Sequence, residues 1–442
     1  MQLKCNILPQ DDGRCGWYDM LPSPPPATPL RGDIKADWVI LGAGLAGLAA
    51  ARRLAELQPD ASIALVEARR VGFGAAGRNS GFMIDLPHDL NSHDYTGDRT
   101  KDLQQIRLNR GAIDYLRDIV QRHSIDCDWR EQGKLHGAVE KHGIKALEAF
   151  AKGLSGLDEP YRTLDAAEMK AVTGTSFYQA GLHAPGAVLV QPAALVRGLA
   201  AALPENVQLY EDTAVRSIET GVRHVLVTDH GRLQSPRLIL ANNAYASQFG
   251  ALGFKGSILP VYTYGSLSRQ LRPDELERLG GEESWGVIPA DPMGTTVRRM
   301  GFGRICIRNS FVYRPDITAG RQHLARVKLA HQRSFDRRFP MLPDVDMEYT
   351  WGGALCLTRN GGTPFGEIAP GVFSAVCQNG LGLTSGTTSG KLIAEYAVGI
   401  ESELLDIMRQ IPKPAPNPPE PLLGLGVRST LAWKEWHAGS EL

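Results

Sequence analysis

The 442-residue chain is 43% hydrophobic and 22% charged, with 48 glycines, and its 48 basic and 48 acidic side chains cancel. That length allows more than one large core, and the balanced charge provides no field for a polyanion, so nucleic-acid binding has no support. No stretch nears the roughly 20 apolar residues of a membrane helix, and residues 1–14 lack the apolar segment of a secretory signal. Cys5, Cys15, Cys127, Cys306, Cys356 and Cys377 show no CxxC spacing, which argues against a metal site or a disulfide framework and for a reducing cytoplasm.

Residues 1–35 read as an irregular arm, because Pro22, Pro24, Pro25, Pro26 and Pro29 interrupt regular structure. The first clean element is the apolar strand Trp38–Leu41, followed by a glycine turn, a helix over 46–57 and a second strand over 62–66. Apolar spacing predicts a helix over 102–123. Short β-like runs at 135–139 and 181–183 precede a helix at 192–202, and strands are expected at 207–209, 214–218, 224–228 and 238–240. Residues 262–267 and 304–308 suggest a second sheet, with a helix over 322–333. The last strong elements are a strand at 372–376 and a helix from 387 to 398. Residues 412–421 form a proline-rich linker to a tail holding Trp433 and Trp436. No internal repeat is present.

Gly42-Ala43-Gly44-Leu45-Ala46-Gly47 joins the first strand to a helix rich in small residues. Gly42 suits a tight turn, Gly44 lets backbone approach a pyrophosphate, and Gly47 lets helix and strand pack closely. The helix start offers free N–H groups and a positive dipole end to phosphates. Glu67, at the end of the second strand, stands where a carboxylate accepts from a ribose hydroxyl. Strand, loop, helix, strand and terminal acid in register point to a dinucleotide.

Three further segments favour FAD over NAD. Residues 69–82, including Gly77, Arg78, Asn79, Ser80 and Gly81, are polar and punctuated by glycine, as suits backbone following an extended cofactor. A buried strand runs into Ala241 and Asn242. Finally, residues 379–386, with Gly380, Leu381, Gly382, Leu383 and Thr384, open the last helix, whose dipole can face the flavin N1–C2=O edge.

From Trp17 to about Ile400 the chain resembles the D-amino-acid oxidase-like family of FAD-dependent oxidoreductases. The family's N-terminal motif is similar to residues 39–67, continuing into Ala68 and Arg69, and its arginine-asparagine-glycine segment resembles residues 77–81. Thr213-Ala214-Val215 resembles the strand contacting adenine, with Val215 at the base, and Gly380-Leu381-Gly382 its C-terminal GxG segment. Trp17-Tyr18, the proline run, residues 29–33, Phe339-Pro340, Trp351-Gly352-Gly353 and Thr358 look like the γ-glutamylputrescine oxidase group. The resemblance implies hydride transfer from the carbon bearing nitrogen to flavin N5, giving an imine that hydrolyses, with oxygen as acceptor. Where sarcosine oxidases of this family carry a lysine that promotes reaction with oxygen, this chain aligns Cys306, between Arg304 and Arg308. A D-amino-acid or N-methyl-amino-acid dehydrogenase using another acceptor is therefore the alternative. Cys356 aligns near the cysteine that tethers flavin in those enzymes; a non-covalent FAD is expected. A non-catalytic flavin subunit, docking through the Trp433–Trp436 tail, is the alternative of another class.

Tyr262 and Tyr264 alternate on a strand and share one face, so they can wall a substrate site or pack under a sheet. Arg298 or Arg308 can pair a substrate carboxylate. His88 is placed to sit over the flavin, and Trp351 to line the site. The expected architecture is α/β: a discontinuous Rossmann-type FAD domain (36–100, 183–250 and 345–405) and an α+β substrate domain (101–182 and 251–344) on a largely antiparallel sheet. The arm (1–35) and the linker with its tail (406–442) flank them.

Overall fold

The computed structural model describes residues 2–10, 14–88, 92, 95–254 and 256–442. Strand β1 (Trp38–Leu41) has four consecutive apolar residues and is buried throughout. It pairs in parallel with β2 (Ile63–Val66), Trp38 opposite Ile63 and Leu41 opposite Val66. Both lie in a six-stranded sheet ordered Val207–Tyr210, β2, β1, Leu238–Leu240, Val372–Ser374, Gly366–Ala369. The first five strands are parallel and the last is antiparallel.

Side-chain alternation splits this sheet into two buried faces. Trp38, Ile40, Ile63 and Leu65 join the cluster that includes α1 (Leu45–Leu57), α2 (Arg99–Arg122) and α3 (Thr384–Val398). Val39, Leu41, Ala64 and Val66 pack instead toward a five-stranded sheet containing Val215–Glu219, His224–Thr228 and Arg232–Ser235. Helices α1 and α3 touch backbone to backbone: a Cβ on Gly390 would lie 2.0 Å from the Ala46 carbonyl oxygen.

The second large sheet has eight strands. Its members include β3 (Lys134–Ala138), β4 (Leu259–Ser268), β5 (Arg304–Tyr313) and β6 (Met347–Leu357), in the order β6, β4, β5, Thr296–Met300, Trp285–Pro289, β3, Ala180–Ala184, Arg162–Asp165. Six of its seven ladders are antiparallel, and only Trp285–Pro289 with β3 is parallel. The helix Arg321–Arg338 is pinned to this sheet by His331, which is buried. Its Nδ1 accepts from the Ser266 hydroxyl at 2.8 Å and its Nε2 donates to Asn309 Oδ1 at 2.7 Å.

Several segments differ from expectation. Within the arm, Gln2–Lys4 and Ile34–Lys35 form the two edges of the five-stranded sheet. Residues 347–357, expected beside the cofactor segments, form β6 in the eight-stranded sheet, pairing with β4 from Leu259–Leu357 to Ser268–Met347. Helix α2, expected with the substrate domain, packs on α3 and α1. The expected tail is helix α4 (Leu422–Ala438), starting just after Pro421 and seated on β5 through Leu431, Ala438 and Phe311. Among the described residues, no helix is long and apolar enough to cross a membrane.

Candidate active site

Close packing dictates the glycine loop. Gly42 has φ +104°, a left-handed conformation that favours glycine. A Cβ on Gly47 would lie 1.8 Å from the Gly42 carbonyl oxygen, so only glycine lets α1 close on β1. Gly44 differs: its nearest neighbour would be Ala76 Cβ at 3.8 Å, so its open side faces the cavity without steric demand from the protein. Glu67 anchors the loop, its Oε2 accepting from Ala43 N–H at 3.0 Å and its Oε1 from Arg69 N–H at 3.1 Å. Burial pushes this carboxyl above its ordinary range, against the pull of those N–H groups.

An elongated cavity runs from this loop between the two large sheets. Gly42, Gly44, Ala46, Glu67, Ala68, Arg78, Asn79, Val215, Ala241, Asn242, Gly380 and Gly382 line it, together with Tyr262 and Cys356. Segments from three of the four sheets therefore meet at one cavity. The residues fit an FAD: the α1 N-terminus and open Gly44 face one end, and buried Asn242 Oδ1 and Asn243 Oδ1 lack a partner among the described residues. In the first turn of α3, Thr384 Oγ1 is buried and unpartnered among the described residues, but Thr384 lines neither this cavity nor the pocket beside it. The N-terminal segment, missed as an irregular arm, closes the wall with Cys5, Ile7, Leu8 and Pro9.

Other expected cofactor residues serve the walls. Gly47 lies in the helix–strand contact already described. Arg69 is exposed and stacks on Phe73, outside the cavity lining. A Cβ on Gly77 would meet the Gly72 carbonyl oxygen at 2.1 Å, and one on Gly81 the Val190 carbonyl oxygen at 2.2 Å, so both glycines serve loop packing. Asn79 fixes the same loop, donating to Ala76 O at 2.7 Å and accepting from Gly81 N–H at 2.8 Å.

A second pocket adjoins the first, sharing Ala75, Arg78, Asn79, Ala354, Gly380 and Gly382 with it. Ser80, His88, Tyr264, Arg308, Leu381 and Leu383 line it. The sequence reading missed Tyr95, Thr263 and Thr296, which complete the wall from a loop and two strands whose pairing no local pattern reveals. Arg308 projects from β5 opposite Gly265. It has no ion-pair partner among the described residues, and its guanidinium rests on the Phe311 ring at 4.8 Å. Burial lowers its pKa to about 10, which leaves it charged at neutral pH. Among the described residues, no aspartate or glutamate lines this pocket.

Arg298 and Trp351 are engaged elsewhere. Arg298, fully buried, donates to the Val190 carbonyl and faces Asp128 at 3.4 Å, holding the loop after Gly81. Trp351 donates its indole N–H to Arg78 O at 2.8 Å and meets Trp17 edge-on at 6.2 Å. It props the Arg78 loop and lines neither pocket. Cys306 shares that buried cluster with Trp17 and Trp351 and also lines neither pocket. Cys356 does face the long cavity, its thiol pushed well up by burial beside Cys377. Arg304 pairs with Glu348 at the strand's outer end, 2.5 Å away.

A family model described as "FAD dependent oxidoreductase" (DAO) matches residues 37–396. γ-Glutamylputrescine oxidoreductase of Escherichia coli strain K12 is 26% identical over 393 residues, 88% of this chain and 89% of that one. The probable oxidoreductase OrdL of Rhizobium meliloti strain 1021 is 28% identical over 415 residues, 90% and 91% of the two chains. In fold, the chain is similar to glycine oxidase from Geobacillus kaustophilus, with a TM-score of 0.66 at 22% identity, covering 84% of this chain and 96% of that structure.

Proposed function

The chain belongs to the DAO family of FAD-dependent oxidoreductases, and from that premise we propose that it oxidises the C–N bond of a small amine or amino acid bearing a carboxylate. The observation that carries this reading is Arg308, a guanidinium with no ion-pair partner among the described residues, in a pocket that adjoins the long cavity and has no acidic lining among those residues. A planar fork of N–H donors suits a carboxylate held bidentately. The same cationic surroundings, Arg308 and Arg78, oppose an ammonium and favour the neutral amine, the form from which a hydride can leave. When bound, FAD supplies the two-electron acceptor and passes the electrons on. His88 and Tyr95, stacked at 4.6 Å, wall the side away from the cofactor cavity, and Tyr264 and Thr263 project from β4. γ-Glutamylputrescine, named in the relative from Escherichia coli, carries both a carboxylate and an amine.

Oxygen is the proposed acceptor. A dehydrogenase reading is favoured by one observation: among the described residues no lysine lines the second pocket, and Cys306 lies outside it. Non-covalent FAD is proposed, because the Cys356 thiol is kept protonated by burial; acid precipitation should leave the flavin in the supernatant. The main test mixes the yellow holoprotein anaerobically with glycine, sarcosine, D-alanine, γ-glutamylputrescine and carboxylate-free alkyl amines. Bleaching by the carboxylate-bearing amines alone is expected, and air should then restore the colour rapidly. No bleaching by any amine would overturn the reading, and slow recolouring would move it to the dehydrogenase.

A further inference from the structure

Behind the second pocket lies a set of polar side chains of which, among the described residues, His88 lines the pocket while Asp85, Lys134 and His136 do not. Lys134 and His136 alternate on β3 and so share a face. Both are fully buried, as is Asp85 in the loop leading to His88. The His88 ring stacks on Tyr95, and Tyr95 in turn meets the His136 ring edge-on at 5.2 Å. Lys134 Nζ, both ring nitrogens of His136, His88 Nδ1 and Asp85 Oδ1 are buried without a hydrogen-bond partner among the described residues. Five such atoms in one region make it polar enough to hold exchangeable water. The set also has a way out. Asp85 Oδ2 lies 3.2 Å from Arg110, whose side chain is 43% exposed and pairs with Glu159.

Charge around the set is balanced, with Lys134 and Arg110 against Asp85 and Glu159. Burial draws the Lys134 pKa down to about 8, against the opposing charge of Asp85. Burial, then the Lys134 charge, holds His88 and His136 well below the usual histidine range, and Arg308 adds to this at His88 from β5. Tyr95 closes the other side, donating to Pro289 O at 2.9 Å, with Asp291 and Glu441 beyond it.

An amine that arrives as an ammonium must lose a proton before its C–N bond is oxidised, and among the described residues no carboxylate lines the pocket to take it. We propose that His88, His136, Lys134 and Asp85 form a buried relay that carries this proton from the substrate to solvent beside Arg110. The relay rests on the amine-oxidation reading above. The substrate N–H bond breaks with its electron pair left on nitrogen, and the proton binds the free ring nitrogen of His88. The opposite ring nitrogen releases its own proton, which passes by way of intervening water to His136; the Lys134 ammonium hands one of its protons toward Asp85 and takes the one from His136 in its place. The proton handed on leaves along Asp85, every group returns to its starting state, and no oxidant is consumed.

The test uses the holoprotein, with whichever amine of the panel bleaches the wild type, and the variants Lys134→Met, His136→Phe and Asp85→Asn. The anaerobic bleaching rate at neutral pH should fall about 100-fold, the lower end of the range for positioned acid–base groups. Its acid limb should move to higher pH while substrate affinity stays. A second readout needs no substrate. Between about 8 and 10.5 the native Lys134 has lost its proton while the unfolded one keeps it, so wild-type melting temperature should rise with pH across that window. Lys134→Met should lack that rise. Parallel melting curves for wild type and Lys134→Met overturn the relay alone, as do variants that hold flavin and keep the wild-type pH profile. A wild type that no amine bleaches overturns the amine reading and the relay with it. Should Lys134→Met fail to fold, Asp85→Asn and His136→Phe decide through the rate profile.

Discussion

Two glycines three residues apart illustrate how differently single positions are constrained. At Gly47 an added methyl would collide with the Gly42 backbone, whereas at Gly44 it would meet protein only at 3.8 Å. Gly47→Ala is therefore expected to lose at least about 1–3 kcal/mol of stability through overpacking, and to purify with little flavin. Gly44→Ala should melt like the wild type as apoprotein yet bind FAD about tenfold or more weakly, a loss of roughly 1.4 kcal/mol; thermal melts and flavin titration separate the two. The carboxylate role of Arg308 is equally sharp. Arg308→Met should keep the flavin spectrum while kcat/KM for a carboxylate-bearing amine falls about 10- to 100-fold, as loss of a charged hydrogen bond worth about 1.5–3 kcal/mol requires. Steady-state rates with a substrate and its amide derivative check this, because the amide should lose far less. The sequence offered Arg298 and Arg308 as equals, and nothing local distinguishes two arginines on neighbouring strands. Strand pairing does, setting Arg298 opposite Cys306 and Arg308 opposite Thr296.

Among the elements, β1, α1 and β2 were legible because apolar runs, small residues and turn glycines all agree there. Strand β6 was not. Its centre is Gly352-Gly353, which lowers strand propensity. Yet a Cβ at Gly352 would lie 2.8 Å from Ala319 Cβ and 3.0 Å from the Tyr262 ring, so the sheet and its cover need glycine there. Nor could local pattern reveal that the arm's first residues pair with Val215–Glu219, since that ladder joins positions over 200 apart, Gln2 with Glu219. The helix Arg321–Arg338 was legible in type and short by a few residues at its C-terminal end, while its anchor, His331, was not. Burial, with Arg308 and Arg338 nearby, draws the His331 pKa to about 3. Between about 6.5 and 3 the unfolded chain binds a proton that the native ring refuses, so stability is present above 6.5 and is lost as pH falls through that window. The slope from this residue approaches about 1.4 kcal/mol per pH unit. Denaturant melts at pH 7 and pH 5 should show it, and His331→Gln should flatten the difference while lowering stability at pH 7.

At the scale of the whole molecule, the long cavity draws its wall from residues 5–9, 41–46, 66–79, 215, 241–249, 262, 352–356 and 378–386. A ligand that touches all of these only when the chain is folded stabilises the fold by mass action, about 2.7 kcal/mol at a free concentration one hundred times Kd. Thermal melts of apoprotein with added FAD should climb accordingly, and deleting residues 2–10 should speed flavin release, read as recovered flavin fluorescence after dilution. Most of the segments that line this cavity were legible in the sequence, but not that they meet, because their meeting depends on ladders between distant strands.

That meeting links this protein to vitamin supply. Without flavin, eight stretches of chain scattered over almost 400 residues would lose the molecule proposed to bridge them, and the open population exposed to proteases would grow. In a riboflavin-starved cell the amount of intact protein should fall while its messenger RNA stays level, so nutrition would set its abundance after translation.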